Sequence, residues 1–84
     1  INAHYSKGLS FYNMGRHNEA IECYSKTISI DPNNVNALYN KGLSLYYIGR
    51  YNEAIECYDK AISIDPTFVR AHNNKGLSLH ELER

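Results

Sequence analysis

The chain has 84 residues, with 9 basic and 9 acidic side chains, a formal net charge of zero, 2 cysteines and no tryptophan. That length holds one small domain with a modest core. The balanced charge excludes the basic footprint of a nucleic-acid or anionic-membrane binder, and no apolar run approaches the ~20 residues of a membrane-spanning helix.

From the N-terminus, residues 1–14 carry apolar side chains at helical spacing and form a first helix, A. Gly15 supplies the left-handed conformation that ends it. Asn18 is the expected N-cap of a second helix, B, with Glu19 beside the positive end of its dipole. Helix B runs to Ile30, where Asp31-Pro32 stops it. Glu22 and Lys26 form an i,i+4 pair that marks its solvent side. Asn33 then caps a helix over residues 35–48, ended by Gly49. Asn52, Glu53 and the pair Glu56 and Lys60 repeat the signals of helix B up to Asp65-Pro66, and Thr67 caps a last helix over 69–83.

These signals recur because the sequence does. Gly15–Pro32 reads GRHNEAIECYSKTISIDP, and Gly49–Pro66 reads GRYNEAIECYDKAISIDP. Residues 1–34 and 35–68 agree at 23 aligned positions, so the chain divides into unit 1 (1–34), unit 2 (35–68) and a half unit (69–84) within one domain, 1–84. A catalytic site needs one arrangement of unlike groups. Duplication instead builds a surface from stacked equivalents. Gly8, Gly42 and Gly76 stand in the middles of the A helices, where a glycine costs about 1 kcal/mol relative to alanine. Close helix approach explains them: with Ala20 on the facing helix, they leave room for Tyr24 and Phe11. The face of Gly8, Phe11 and Met14 is therefore expected to belong to the core.

The 34-residue period, the spacings Gly8-x2-Phe11 and Ala20-x3-Tyr24, and the closing Pro32 resemble the tetratricopeptide repeat over the whole chain. Two places depart from the usual pattern: His4, Leu38 and His72 stand where an aromatic is common, and Lys7, Lys41 and Lys75 where leucine is. The resemblance implies an all-α fold of about two and a half antiparallel helix-turn-helix repeats, stacked as a right-handed superhelix or α-solenoid. It further implies that the A helices line a concave groove that binds peptides or extended partner segments, without enzymatic activity or a cofactor.

Helical periodicity puts the second, fifth, ninth and twelfth places of helix A on one face. These are Asn2, Tyr5, Leu9 and Tyr12; then Asn36, Tyr39, Leu43 and Tyr46; then Arg70, Asn73, Leu77 and His80. The sixth place adds Ser6, Asn40 and Asn74. Tyrosine gives apolar contact with a polar tip, and asparagine carries a donor and an acceptor, a combination suited to an extended backbone. The competing reading is that the tyrosines only pack against neighbouring A helices. The resemblance assigns Asn40 and Asn74 to gripping peptide backbone. Some family members grip the C-terminal carboxylate of heat-shock chaperones with a basic clamp. At the clamp positions this chain has Tyr5, Leu9, Asn40, Arg70 and Asn74, which leaves a carboxylate underneutralised.

Cys23 and Cys57 occupy equivalent places on helices expected to pack about 8–10 Å apart, too far for a disulfide, and read as free thiols of a cytoplasmic protein. His4, His17, His72 and His80 lack metal-ligand spacing, and no glycine-rich phosphate loop is present. The sequence opens at Ile1 without a signal-peptide pattern and reads as a processed or excised fragment. The half unit leaves Leu79 and Leu82 without a helix B to cover them. The alternative to a groove is therefore a purely structural, excised or designed module that self-associates through its ends.

Overall fold

The computed structural model of the chain describes residues 3–84. Among these residues five helices follow in order: α1 (Ala3–Asn13), α2 (His17–Ile30), α3 (Val35–Tyr47), α4 (Tyr51–Ile64) and α5 (Val69–Leu82). Each packs on its neighbours in sequence, and α3 also touches α5, the contact pattern of a one-dimensional stack. The hairpins α1–α2 and α3–α4 are units 1 and 2, and α5 is the first helix of a third. The stack measures 36 × 26 × 17 Å. Ile1 and Asn2, assigned above to helix A and its outer face, lie outside the described residues. No helix among the described residues is long and apolar enough to cross a membrane.

The A-to-B turns are built as expected from glycine, with φ of 77° at Gly15 and 83° at Gly49. The Arg16 N–H donates to the Phe11 carbonyl at 2.9 Å and the Gly15 N–H to that of Tyr12 at 3.0 Å, closing the last turn of α1. Arg50 and Gly49 do the same to Leu45 and Tyr46 at 2.9 and 3.1 Å. This tight closure moves the start of helix B. Asn18 and Asn52 are not caps but lie inside the first turn, and the cap positions are Arg16 and Arg50, whose side chains make no capping bond. Their guanidinium groups instead fork onto Glu19 and Glu53, and Arg50 Nε meets Glu53 Oε1 at 2.6 Å.

The B-to-A turns shift in the same way. Asn34, not Asn33, caps α3: its side chain accepts the Ala37 N–H at 3.1 Å. The turn bond from the Asn34 N–H to the Asp31 carbonyl uses up Pro32 and Asn33 before the helix can begin. At the equivalent place Phe68 has no capping side chain. Thr67 instead donates to Asp65 Oδ1, from its hydroxyl at 2.7 Å and its N–H at 3.2 Å.

The core confirms close approach at Gly8 and Gly42 but not at Gly76, where an added Cβ would meet nothing within 4 Å. Tyr24 and Tyr58 are fully buried, as are Ala20 and Ala54. A Cβ on Gly8 or Gly42 would stand 2.6 Å from the Cε1 atom of Tyr24 or Tyr58, inside contact distance. The aromatic rings, on the order of 150–250 Å² of surface each, are buried only because these two positions lack side chains. Met14 departs from expectation: at 60% exposure it lies beyond the last turn of α1 and outside the core. Both cysteines are buried and free. Burial pushes the Cys57 thiol up from its ordinary range.

Candidate functional site

The A helices α1, α3 and α5 form a wall whose inter-helix links come from the tyrosine stripe itself. Asn40 Nδ2 on α3 donates to the Tyr5 hydroxyl on α1 at 2.9 Å. The Tyr5 ring lies 5.9 Å from that of Tyr24, tying the wall to the first core ring. In the next unit the Tyr39 ring sits 5.9 Å from Tyr58 and 5.2 Å from Phe68. The Arg70 guanidinium, from α5, rests 5.3 Å over Tyr39 and 5.4 Å over Phe68.

These contacts correct part of the expected face. Tyr39 is only 7% exposed, because α4 and the residue entering α5 close around it. Its ring is a support of the wall and not a free contact surface. Burial raises its hydroxyl pKa, and the charge of Arg70 partly offsets the rise. Asn40, half-buried, spends an amide hydrogen on Tyr5. Leu43 and Tyr46 are half-buried and pack against the core, while Leu9 and Tyr12 are half-buried in unit 1. What remains open is a smaller set: Asn36, Arg70 and Asn73 are exposed and Leu77 is half exposed, whereas Asn74 is half-buried against Tyr58. Asn2 lies outside the described residues.

Sequence periodicity missed a second group at the turn end of the wall. Tyr47 is 57% exposed and bridges the two units. Its ring stacks on His17 at 5.3 Å and 17°, and lies 6.1 Å from Tyr12 and 5.6 Å from Tyr46. Tyr46 in turn meets Tyr51 at 5.5 Å. Burial, reinforced by the neighbouring Tyr47 hydroxyl, pushes the Tyr12 pKa up to about 12. Tyr47 stands where the other units carry Asn13 and Glu81, so reasoning from what repeats gives it no weight.

Other chemistry is sparse. Among the described residues no three His, Cys, Asp or Glu side chains gather where they could hold a metal ion. An open cleft of about 370 Å³ lies between the α2–α3 turn and α4, lined by Pro32, Asn33, Asp59, Lys60, Ser63 and Ile64. Its lining shares no residue with the wall.

Known proteins carry the same architecture. A model described as tetratricopeptide repeat matches residues 1–34, another with that description matches 23–56, and one described as TPR repeat matches 42–83. A search of curated proteins found no match. Among solved structures, the second TPR of Spaghetti (RPAP3), bound to the HSP90 peptide SRMEEVD, is 27% identical. The alignment covers 96% of this chain and 75% of that one with a TM-score of 0.94. The second TPR domain of human RPAP3, in complex with the HSP70 peptide SGPTIEEVD, is 27% identical over 96% of this chain and 70% of that one, with a TM-score of 0.89. MamA protein is 32% identical with a TM-score of 0.90; 93% of this chain aligns to 43% of that protein.

Proposed function

The chain belongs to the tetratricopeptide repeat family, and from that premise we propose that its A-helix wall holds an extended segment of a partner protein. The observation that carries this reading is Arg70, an exposed cation held over the Tyr39 and Phe68 rings. A guanidinium fixed in this way has little freedom left to lose on binding, so it is prepared to receive a carboxylate. Asn73 follows one turn along α5, and Asn36 occupies the place of Arg70 on α3. Both offer amide donors and acceptors to a peptide backbone. Leu77 and Tyr47 add apolar contact at the exposed edge.

The peptides bound to the RPAP3 domains end in EEVD and so concentrate negative charge. This chain offers a different balance. Of the five clamp places Asn40 alone matches, and it is engaged with Tyr5; Arg70 substitutes for a second basic residue. The preferred ligand is an extended segment with apolar side chains and a single carboxylate. The fold is that of an interaction module, and no catalytic role is proposed.

Fluorescence anisotropy with SRMEEVD and with a library of apolar single-carboxylate peptides tests the reading. Single-carboxylate peptides should bind more tightly than SRMEEVD, and Arg70→Ala with Asn73→Ala should abolish binding without unfolding the chain. Tyr39→Ala is a poor probe because it empties the core. If no peptide binds, or if binding ignores both exposed residues, the groove reading fails.

A further inference from the structure

Helices α2 and α4 carry the same run around one difference. Glu22-Cys23-Tyr24-Ser25-Lys26 on α2 becomes Glu56-Cys57-Tyr58-Asp59-Lys60 on α4, so a neutral hydroxyl stands where the later unit has a carboxylate. That carboxylate is engaged. Asp59 Oδ1 meets the Lys75 ammonium at 2.7 Å, an ion pair that ties α4 to α5 across a boundary between units. The cation recurs at the preceding boundary: Lys41 takes the place of Lys75 on α3, and α3 packs on α2 as α5 packs on α4. Lys41 has no ion-pair partner among the described residues. Ser25 is partly exposed and its hydroxyl makes no hydrogen bond there. Thr27, two places on, is buried and already donates to the Cys23 carbonyl at 3.2 Å. The boundary between units 1 and 2 thus holds a cation and a free hydroxyl where the next holds a closed ion pair.

We propose that Ser25 is a phosphoryl acceptor, and that its phosphorylation supplies the anion missing opposite Lys41. The donor is a nucleoside triphosphate, brought by a protein kinase. The bond from Ser25 Oγ to the γ-phosphorus forms as the bond from that phosphorus to the bridging oxygen breaks. The hydroxyl proton passes to the kinase's base, and the nucleoside diphosphate leaves. The product carries a charge of about −1.5 to −2 at neutral pH and three acceptor oxygens, more than the single charge of Asp59. Unit 2 shows that an anion is tolerated at this place. Glu56 and Lys60 flank Asp59 as Glu22 and Lys26 flank Ser25, so the local repulsion and attraction are the same. The Asp59–Lys75 pair is exposed and individually weak, and a doubly charged partner draws harder on its lysine. Phosphorylation therefore tightens the α2–α3 joint, at the boundary that the Asn40–Tyr5 hydrogen bond also crosses. This holds whether or not the wall binds a peptide.

Two measurements test the proposal. In the first, the full chain is incubated with ATP and a panel of purified serine/threonine kinases, and the modified residue is mapped by mass spectrometry. The phosphoryl group is expected on Ser25, and Ser25→Ala should remove it. In the second, the chain is assembled synthetically with phosphoserine or serine at residue 25, each with and without Lys41→Gln, and melted by circular dichroism. The cycle isolates the pair from any effect of the phosphoryl group on α2 alone. Phosphorylation should act on the melting midpoint more favourably with Lys41 present than with Lys41→Gln, by about 2–8 °C. Raising the salt to about 1 M should shrink that difference. Three results would overturn the proposal: no phosphoryl transfer, transfer confined to other hydroxyls, or a midpoint change that Lys41→Gln leaves unaltered.

Discussion

One chemical change, glycine to alanine, placed at equivalent points of the second and last A helices, should move stability in opposite directions. In a helix interior, alanine gains about 1 kcal/mol over glycine through backbone entropy. At Gly76 nothing within 4 Å opposes that gain, so Gly76→Ala should stabilise by up to about 1 kcal/mol. At Gly42 the new Cβ lies 2.6 Å from Tyr58 Cε1 and 2.9 Å from Cδ1. Those ring atoms belong to a fully buried side chain packed beside Tyr39, so the ring cannot simply swing away. Overpacking of this kind costs roughly 1–3 kcal/mol. Subtracting the propensity gain leaves a net loss of about 0–2 kcal/mol, and Gly8→Ala should behave likewise against Tyr24. For a chain of this size 1 kcal/mol moves the midpoint by about 4–8 °C, well within reach of thermal melts followed by circular dichroism. If Gly42→Ala melts at or above the temperature of Gly76→Ala, the packing argument is wrong.

The turn glycines test conformation without packing. Gly49→Ala should lose about 1–2 kcal/mol from the φ of 83° alone, since no atom lies within 4 Å of its added Cβ, and a denaturation midpoint equal to the parent would refute this. The buried tyrosines predict alkaline sensitivity. Burial raises Tyr12 to about 12 and also raises Tyr24, Tyr39 and Tyr58, so the folded state holds these protons more tightly than the unfolded chain. Their contribution is therefore complete below the unfolded value of about 10 and is lost as pH rises above it. Urea midpoints should fall as pH rises from about 10 to about 12, the window between the unfolded value and that of Tyr12, and less steeply in Tyr24→Phe with Tyr58→Phe. Cys23 and Cys57, both buried, should react with a thiol reagent at a rate set by opening of the fold. Rapid labelling in native buffer would contradict the packing of α2 and α4.

What the sequence conveys well here is whatever repeats. The period places Gly8 opposite Tyr24 and Gly42 opposite Tyr58, and the hairpins follow from those pairs. Local chemistry is read less accurately, because a cap depends on which residue first adopts helical geometry. Gly15 closes α1 so tightly that Arg16 is already the boundary of α2, and the β-turn from Asp31 displaces the cap from Asn33 to Asn34. Phe68 shows the trade directly. It has no capping oxygen, but its ring packs on Tyr39 and under Arg70.

The candidate wall was legible as a face but not as a set of free side chains. Periodicity within one helix says which residues point together; it does not say how much of that face the next helix covers. Tyr39 lies between α4 and the start of α5, so the stack buries it, whereas Asn73 takes the same place on α5, where no further unit follows among the described residues, and stays exposed. Position along the stack, more than residue type, decides whether a repeated side chain supports the fold or meets a partner. The proposed peptide-holding surface therefore draws chiefly on Arg70 and Asn73 of α5.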